Sequence, residues 1–325
     1  MPTLPRLGVL APLVLACAGL FACQAQESGV EQGPTGDGSG EPTVGASSPD
    51  SDSDPDSGLD DTSGTDVVPP ARSYFIAEST DFTGNDCENA DVNEVTASLR
   101  QELDDEGWVG TRATNGQTRP LDFIDPVKRD FGQDHTKSDA VSLAVFAGHG
   151  WMDRIQWGTQ DDTPTVEPPE KRCRALFSED IRLGAMSGGW ARAVAVIASC
   201  TGRLACYEST LGTNDVTQVF AFNNSPSIRG NQMRRFYRKS NRMPNRDAWL
   251  AAMDNRPGFG KNSPVVYTRG TGRDEVLQTH RQARLSEIEE IPGEGGTTWY
   301  AYSWVDHGLE GSCTPLQNSC VGVDG

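Results

Sequence analysis

Three short apolar runs constrain this chain more than any other feature. Residues 141–147 (VSLAVFA), 193–199 (AVAVIAS) and 216–222 (VTQVFAF) are continuous hydrophobic stretches with β-branched and aromatic content. A strand with one wet face alternates apolar and polar residues, whereas a strand apolar throughout is buried on both faces. Runs of this kind between helical stretches imply a mostly parallel sheet flanked by helices, a three-layer α/β domain. Residues 73–77, 108–113, 265–268 and 297–305 read as further strands. Residues 90–106 carry Val92, Val95, Leu99 and Leu103 at helical spacing and are followed by Gly107, so they read as an amphipathic helix. Residues 179–186, 228–240 and 247–254 also read as helices.

The first 70 residues are of another kind. Residues 1–6 contain one cation, Arg6, and residues 7–22 (LGVLAPLVLACAGLFA) are apolar. That run is too short to span a bilayer as a helix and suits a signal peptide, expected over residues 1–22. It ends Leu20-Phe21-Ala22-Cys23, which resembles the lipobox of bacterial lipoproteins and implies lipidation of Cys23. Gln24 follows the cysteine where an inner-membrane retention signal would have Asp, so the protein is expected on the outer membrane, on its periplasmic or cell-surface face. Residues 24–70 hold 11 acidic residues and no Lys or Arg, amid Gly, Ser, Thr and Pro. Such a segment cannot bury enough apolar surface to offset ordering entropy, and residues 23–70 read as a lipidated, disordered acidic tether. Asp50, Asp52, Asp54 and Asp56 lack the glycine and bidentate glutamate of a calcium loop. Residues 71–325 are then one folded domain. The net charge of −18 argues against a general nucleic-acid binder, which needs clustered cations.

Function is read at the ends of two strands. The 141–147 run leads directly into Gly148-His149-Gly150, and the 193–199 run into Cys200-Thr201-Gly202. Carboxyl ends of strands face the ligand crevice in open α/β sheets. Neighbouring parallel strands would set an imidazole beside a thiol, as nucleophilic cysteine catalysis requires. The amides of Gly150 and Cys200 would be candidate oxyanion donors.

His149 lies 51 residues before Cys200, at the end of an apolar strand in His-Gly; the cysteine follows a second such strand in Ala198-Ser199-Cys200-Thr201-Gly202. These strand ends resemble those of caspase-like (clan CD) cysteine peptidases: caspases, gingipains, legumains and separases. The resemblance implies a caspase-like fold and a cysteine endopeptidase with Cys200 as nucleophile and His149 as base and acid, acting on a protein or peptide. A second resemblance, over about residues 73–270, is to a bacterial domain family of unknown function with this His-Gly and Ser-Cys pair, and it implies no activity. Two other uses of the scaffold stay open: a catalytically silent binding module on the cell surface, and non-proteolytic acyl transfer or hydrolysis.

The cysteines bear on the choice. Besides Cys17 and Cys23 there are Cys87, Cys173, Cys200, Cys206, Cys313 and Cys320. Six in an exported domain suffice for three bridges. Cys313 with Cys320 is the first candidate pair, Cys173 with Cys206 a second, and Cys200 is either a free nucleophile, a core thiol or half of a disulfide. Asp306-His307-Gly308 with Cys313 repeats the pattern without a second buried strand. No metal spacing links the four histidines, and no cofactor is expected. His135 and His280 lie in polar stretches and read as surface residues. Asp153, Asp161, Asp162, Glu179 and Asp180 lie between His149 and Cys200; one could orient His149, though as loop residues they read as solvated. Arg229, Arg234, Arg235, Arg238, Lys239 and Arg242 fit an exposed helix face that could meet an acidic surface. Six of the seven tryptophans, Trp151, Trp157, Trp190, Trp249, Trp299 and Trp304, read mainly as core.

Overall fold

The computed structural model describes residues 72–82, 90–158, 172–184, 189–203, 215–254, 262–288 and 299–305. The expected signal peptide, Cys23, the tether, the Cys313/Cys320 pair and the Asp306-His307-Gly308 motif lie outside these residues.

The strands are β1 (Ser73–Glu78), β2 (Val109–Thr114), β3 (Leu143–Ala147), β4 (His149–Trp151), β5 (Arg154–Gln156), β6 (Arg174–Leu176), β7 (Ala193–Ile197), β8 (Gln218–Phe222), β9 (Pro264–Gly270) and β10 (Trp299–Trp304). The helices are α1 (Ala97–Asp105), α2 (Gly230–Ser240), α3 (Asn245–Met253) and α4 (Arg273–Gln282). Seven strands form one sheet in the order β10-β9-β8-β7-β3-β1-β2. β2, β1, β3, β7 and β8 pair in parallel, and β9 pairs antiparallel with both β8 and β10. β4, β5 and β6 make a separate antiparallel sheet. The fold is the expected three-layer α/β class with a mostly parallel central sheet.

The apolar runs are continuous because both faces of their strands are covered. Leu143, Val145, Ala193, Ala195, Phe220 and Phe222 point to one side, into a core built with Leu99 of α1, Phe236 of α2 and Trp249 of α3. Ala144, Phe146, Val194, Val196, Val219 and Ala221 point to the other, against Phe123, Trp157, Phe177 and Ile181. Among the described residues this second layer consists of short 3₁₀ turns, connecting segments and the small sheet. Trp249 is fully buried, with its ring centroid 5.0–5.5 Å from those of Phe220, Phe222 and Phe236. Each such side chain contributes about 1.5–3 kcal/mol through burial alone.

Two sequence expectations need correction, and one helix has no counterpart among them. The helix expected from residue 90 begins at Ala97, because the buried Glu78 carboxylate accepts the backbone N–H groups of Val95 (2.6 Å) and Thr96 (3.1 Å). A side chain from β1 thus serves donors that another helical turn would otherwise have to satisfy. The helix still ends at Gly107, whose φ of +77° closes it. Residues 179–184 are not helical. Asp180 folds back as a turn onto Leu176, and the chain then extends so that Gly184 N–H meets Asp139 Oδ1 at 2.7 Å. α4 has no apolar periodicity in the sequence, since only Val276 and His280 of its ten residues are buried.

Candidate functional site

The sheet order changes direction between β1 and β3: β2 lies to one side of β1, while β3, β7 and β8 follow on the other. Doubly wound sheets bind ligands at such a switch point, beyond the carboxyl ends of the strands. A cavity of about 220 Å³ opens there. Ser79 and Thr80 reach it from the end of β1, Gly148 and His149 from the end of β3, Ala198 and Ser199 from the end of β7, and Ser225 from the end of β8. Asp91 and Asn93, from the segment leading to α1, and Glu78, the last residue of β1, also line it.

The walls are held by hydrogen bonds rather than by packing alone. Asn115, with a left-handed φ of +47°, accepts from Thr80 N (2.8 Å), Thr80 Oγ1 (3.1 Å) and Asp81 N (3.2 Å). Asp91 Oδ1 accepts Phe82 N–H at 2.9 Å, and Val92 N–H bonds Thr80 O at 3.0 Å. Glu78 also takes the Thr96 hydroxyl (2.6 Å) and pairs with Arg112. The hydroxyls of Ser199 and Ser225 lie 2.8 Å apart. Among the described residues, no lysine or arginine lines the cavity.

His149 is half-buried on this wall. Its Nε2 lies 2.6 Å from the carbonyl oxygen of Ala90, and its ring meets Phe82 edge-on at 4.6 Å. A carbonyl only accepts, so Nε2 carries the proton and donates. Among the described residues, the carboxylates between His149 and Cys200 in the chain do not take this bond. Asp153 is buried beside Arg154, and Asp180 is buried where it accepts Leu176 N–H and pairs with Arg129, so neither is the solvated loop residue expected. Asp161 and Asp162 lie outside the described residues.

Cys200 faces elsewhere. Its side chain is fully buried, packs with Met152 and Trp151, and does not line the cavity. It takes part in a disulfide, as does Cys173. Its backbone has a φ of +62°, left-handed for a residue with a β-carbon, and its N–H is taken by Asn224 O at 3.2 Å. The expectation of a free thiolate beside an imidazole is corrected on two counts: the sulfur is cross-linked, and the strand end turns over so that Ser199 faces the cavity. Cys200 N–H is likewise engaged and not an open oxyanion donor. Gly150 does not line the cavity either; a β-carbon there would come within 2.7 Å of Ala198 Cβ and 2.8 Å of Thr201 Cγ2. The glycine serves packing rather than substrate approach. Gly202 is similar, its carbonyl accepting the Tyr267 hydroxyl at 2.8 Å.

Ser225 and Asp91, which line the cavity, carry no sequence signal that marks them. Ser199 stands one residue before the cysteine that the pattern points to. Glu78 carried a weaker signal, a carboxylate directly after an apolar strand. His135 is exposed as expected. His280 is not: it is buried between Thr268 Oγ1 and Ser303 Oγ, each 2.8 Å from a ring nitrogen. Trp157 and Trp249 are core, while Trp151, Trp190, Trp299 and Trp304 are half-buried. Among the described residues no group of three His, Cys, Asp or Glu side chains could hold a metal ion, and no helix is long and apolar enough to cross a membrane. In comparisons with known proteins, no family model and no curated sequence matches the chain.

Proposed function

We propose that the folded domain is a catalytically silent binding module on a scaffold resembling the caspase-like peptidases, and that it is exported and anchored through lipidated Cys23. The observation that carries this reading is the placement of the two expected catalytic residues. His149 lines the switch-point cavity with Ser199 and Ser225, while Cys200 is buried, cross-linked and absent from its walls. A disulfide sulfur has no thiolate lone pair with which to attack a carbonyl. The cavity keeps polar groups that recognition can use: the Asp91 carboxylate, the hydroxyls of Ser199 and Ser225, and the His149 ring. With the Asp91 carboxylate and, among the described residues, no lysine or arginine on its walls, it suits a small neutral or cationic polar ligand.

The test is thiol mapping on the native, unreduced full chain. Iodoacetamide and a panel of peptidyl acyloxymethyl ketones are each incubated with the protein, and labelled cysteines are located by mass spectrometry. Cys200 is expected to stay unmodified until the protein is reduced and unfolded. Ketone labelling of Cys200 in the native protein, abolished by His149→Ala, would restore the endopeptidase reading.

A further inference from the structure

A second feature lies away from the switch-point cavity and does not depend on its reading. α2 buries Gln232, Met233, Phe236, Tyr237 and Ser240 against the sheet and its neighbouring helices. Its other side carries Arg234, Arg235, Arg238 and Lys239, and Arg242 follows just beyond its end. These five cations, with Asn231 and Met243, line an open surface cavity of about 410 Å³. The only carboxylate paired with them among the described residues is Glu102 of α1, which holds Arg238 through two bonds of 2.8 and 2.9 Å and lies 3.5 Å from Arg234 Nε. Arg235, Lys239 and Arg242 have no ion pair among the described residues. The favourable field at a helix C-terminus accounts for Arg238 and Lys239. It does not account for Arg234 and Arg235 in the middle of the helix. Nor does it account for the like charges at i,i+4 within the helix, 234/238 and 235/239, which destabilise a helix. A chain of net charge −18 has no need of this cluster for solubility.

We propose that the outward face of α2 is a binding surface for ligands carrying several phosphate groups. The chemistry fits in three respects. Guanidinium groups bind phosphate oxygens through paired N–H donors. Among the described residues, three of the five cations have no ion-pair partner to be displaced from. The cavity is walled by flexible arginine stems on a convex helix, so a single monoanion would be held weakly and several linked phosphates are preferred. Two sources supply such groups, a soluble oligophosphate and the headgroups of an anionic bilayer.

The test compares the full chain with the triple variant Arg235→Glu/Lys239→Glu/Arg242→Glu, which leaves the Glu102 pairs intact. A second variant with glutamine at the same three positions guards against misfolding by charge reversal, and circular dichroism checks both. Tripolyphosphate binding is measured by calorimetry at low and moderate salt. Sedimentation compares vesicles of phosphatidylglycerol and phosphatidylcholine with vesicles of phosphatidylcholine alone, so that insertion of the shared N-terminus cancels. The expected result is salt-sensitive binding in at least one arm, weakened roughly a hundredfold in the glutamine variant and further in the glutamate variant. The responding arm identifies the source. Binding in neither arm, or equal binding by wild type and both variants, overturns the proposal.

Discussion

Arg112 on β2 pairs with the carboxylate of Glu78 on β1, whose side chain is 1% exposed, and the same carboxylate holds the start of α1 through Val95 and Thr96. One acid that lines the switch-point cavity therefore ties two neighbouring strands and a helix together. Its position, directly after an apolar strand, is what lets it reach all three.

Removing this charge leaves the guanidinium of Arg112 short of its buried partner and puts an amide donor against two N–H groups. Glu78→Gln is expected to lower the free energy of unfolding by about 3–5 kcal/mol, as for other broken buried pairs. Glu94, which also pairs with Arg112, is 56% exposed, and Glu94→Gln should cost less than about 1 kcal/mol. Urea denaturation of the two variants gives the comparison. Equal effects would show that Glu78 is not the node described.

Asp134 is expected to make the protein less stable as pH rises towards mild alkalinity. Its carboxyl is pushed up to about 8, first by burial and then by the neighbouring Asp139 and Asp125. The folded chain thus holds a proton that the unfolded chain releases near pH 4. Between about pH 4 and 8 the folded state binds more protons, so this group's contribution to stability falls as pH rises, by at most about 1.4 kcal/mol per pH unit. Asp134→Asn removes that slope. Denaturation curves of wild type and variant at pH 5, 6, 7 and 8 should converge or cross in the variant's favour as pH increases; a constant offset would refute the assignment.

His280 works in the opposite direction. Burial, and then the charges of Arg246 and Arg281, bring its imidazole down to about 3. Its folded value lies below its unfolded one, so the stability tied to the neutral ring is complete above about pH 6.5 and is lost as pH falls towards 3. The nitrogen shifts of this ring, followed by NMR, should stay those of a neutral imidazole from pH 7.5 to 4.5. Protonation near pH 6 would mean that the ring is not locked between Thr268 and Ser303.

The apolar runs at 141–147, 193–199 and 216–222 specified a buried parallel sheet because each is too short for a typical helix, rich in β-branched and aromatic residues, and apolar on both faces. They also placed His149 and Cys200 at strand ends, and the spacing of 234, 235, 238, 239 and 242 marked one helix face. Periodicity could not foresee the start of α1, which a carboxylate distant in sequence decides, nor α4, whose buried positions are a valine and a histidine. Which way each side chain turns beyond the last strand residue was also undetermined. That depends on a left-handed backbone at Cys200, on the Asn224 carbonyl that takes its N–H, and on a disulfide. Composition and local pattern act over a few residues and determined the layers and the strands. The site is made where β1, β3 and β7 end together, and only their packing decided that a serine, not the cysteine beside it, shares the cavity with His149.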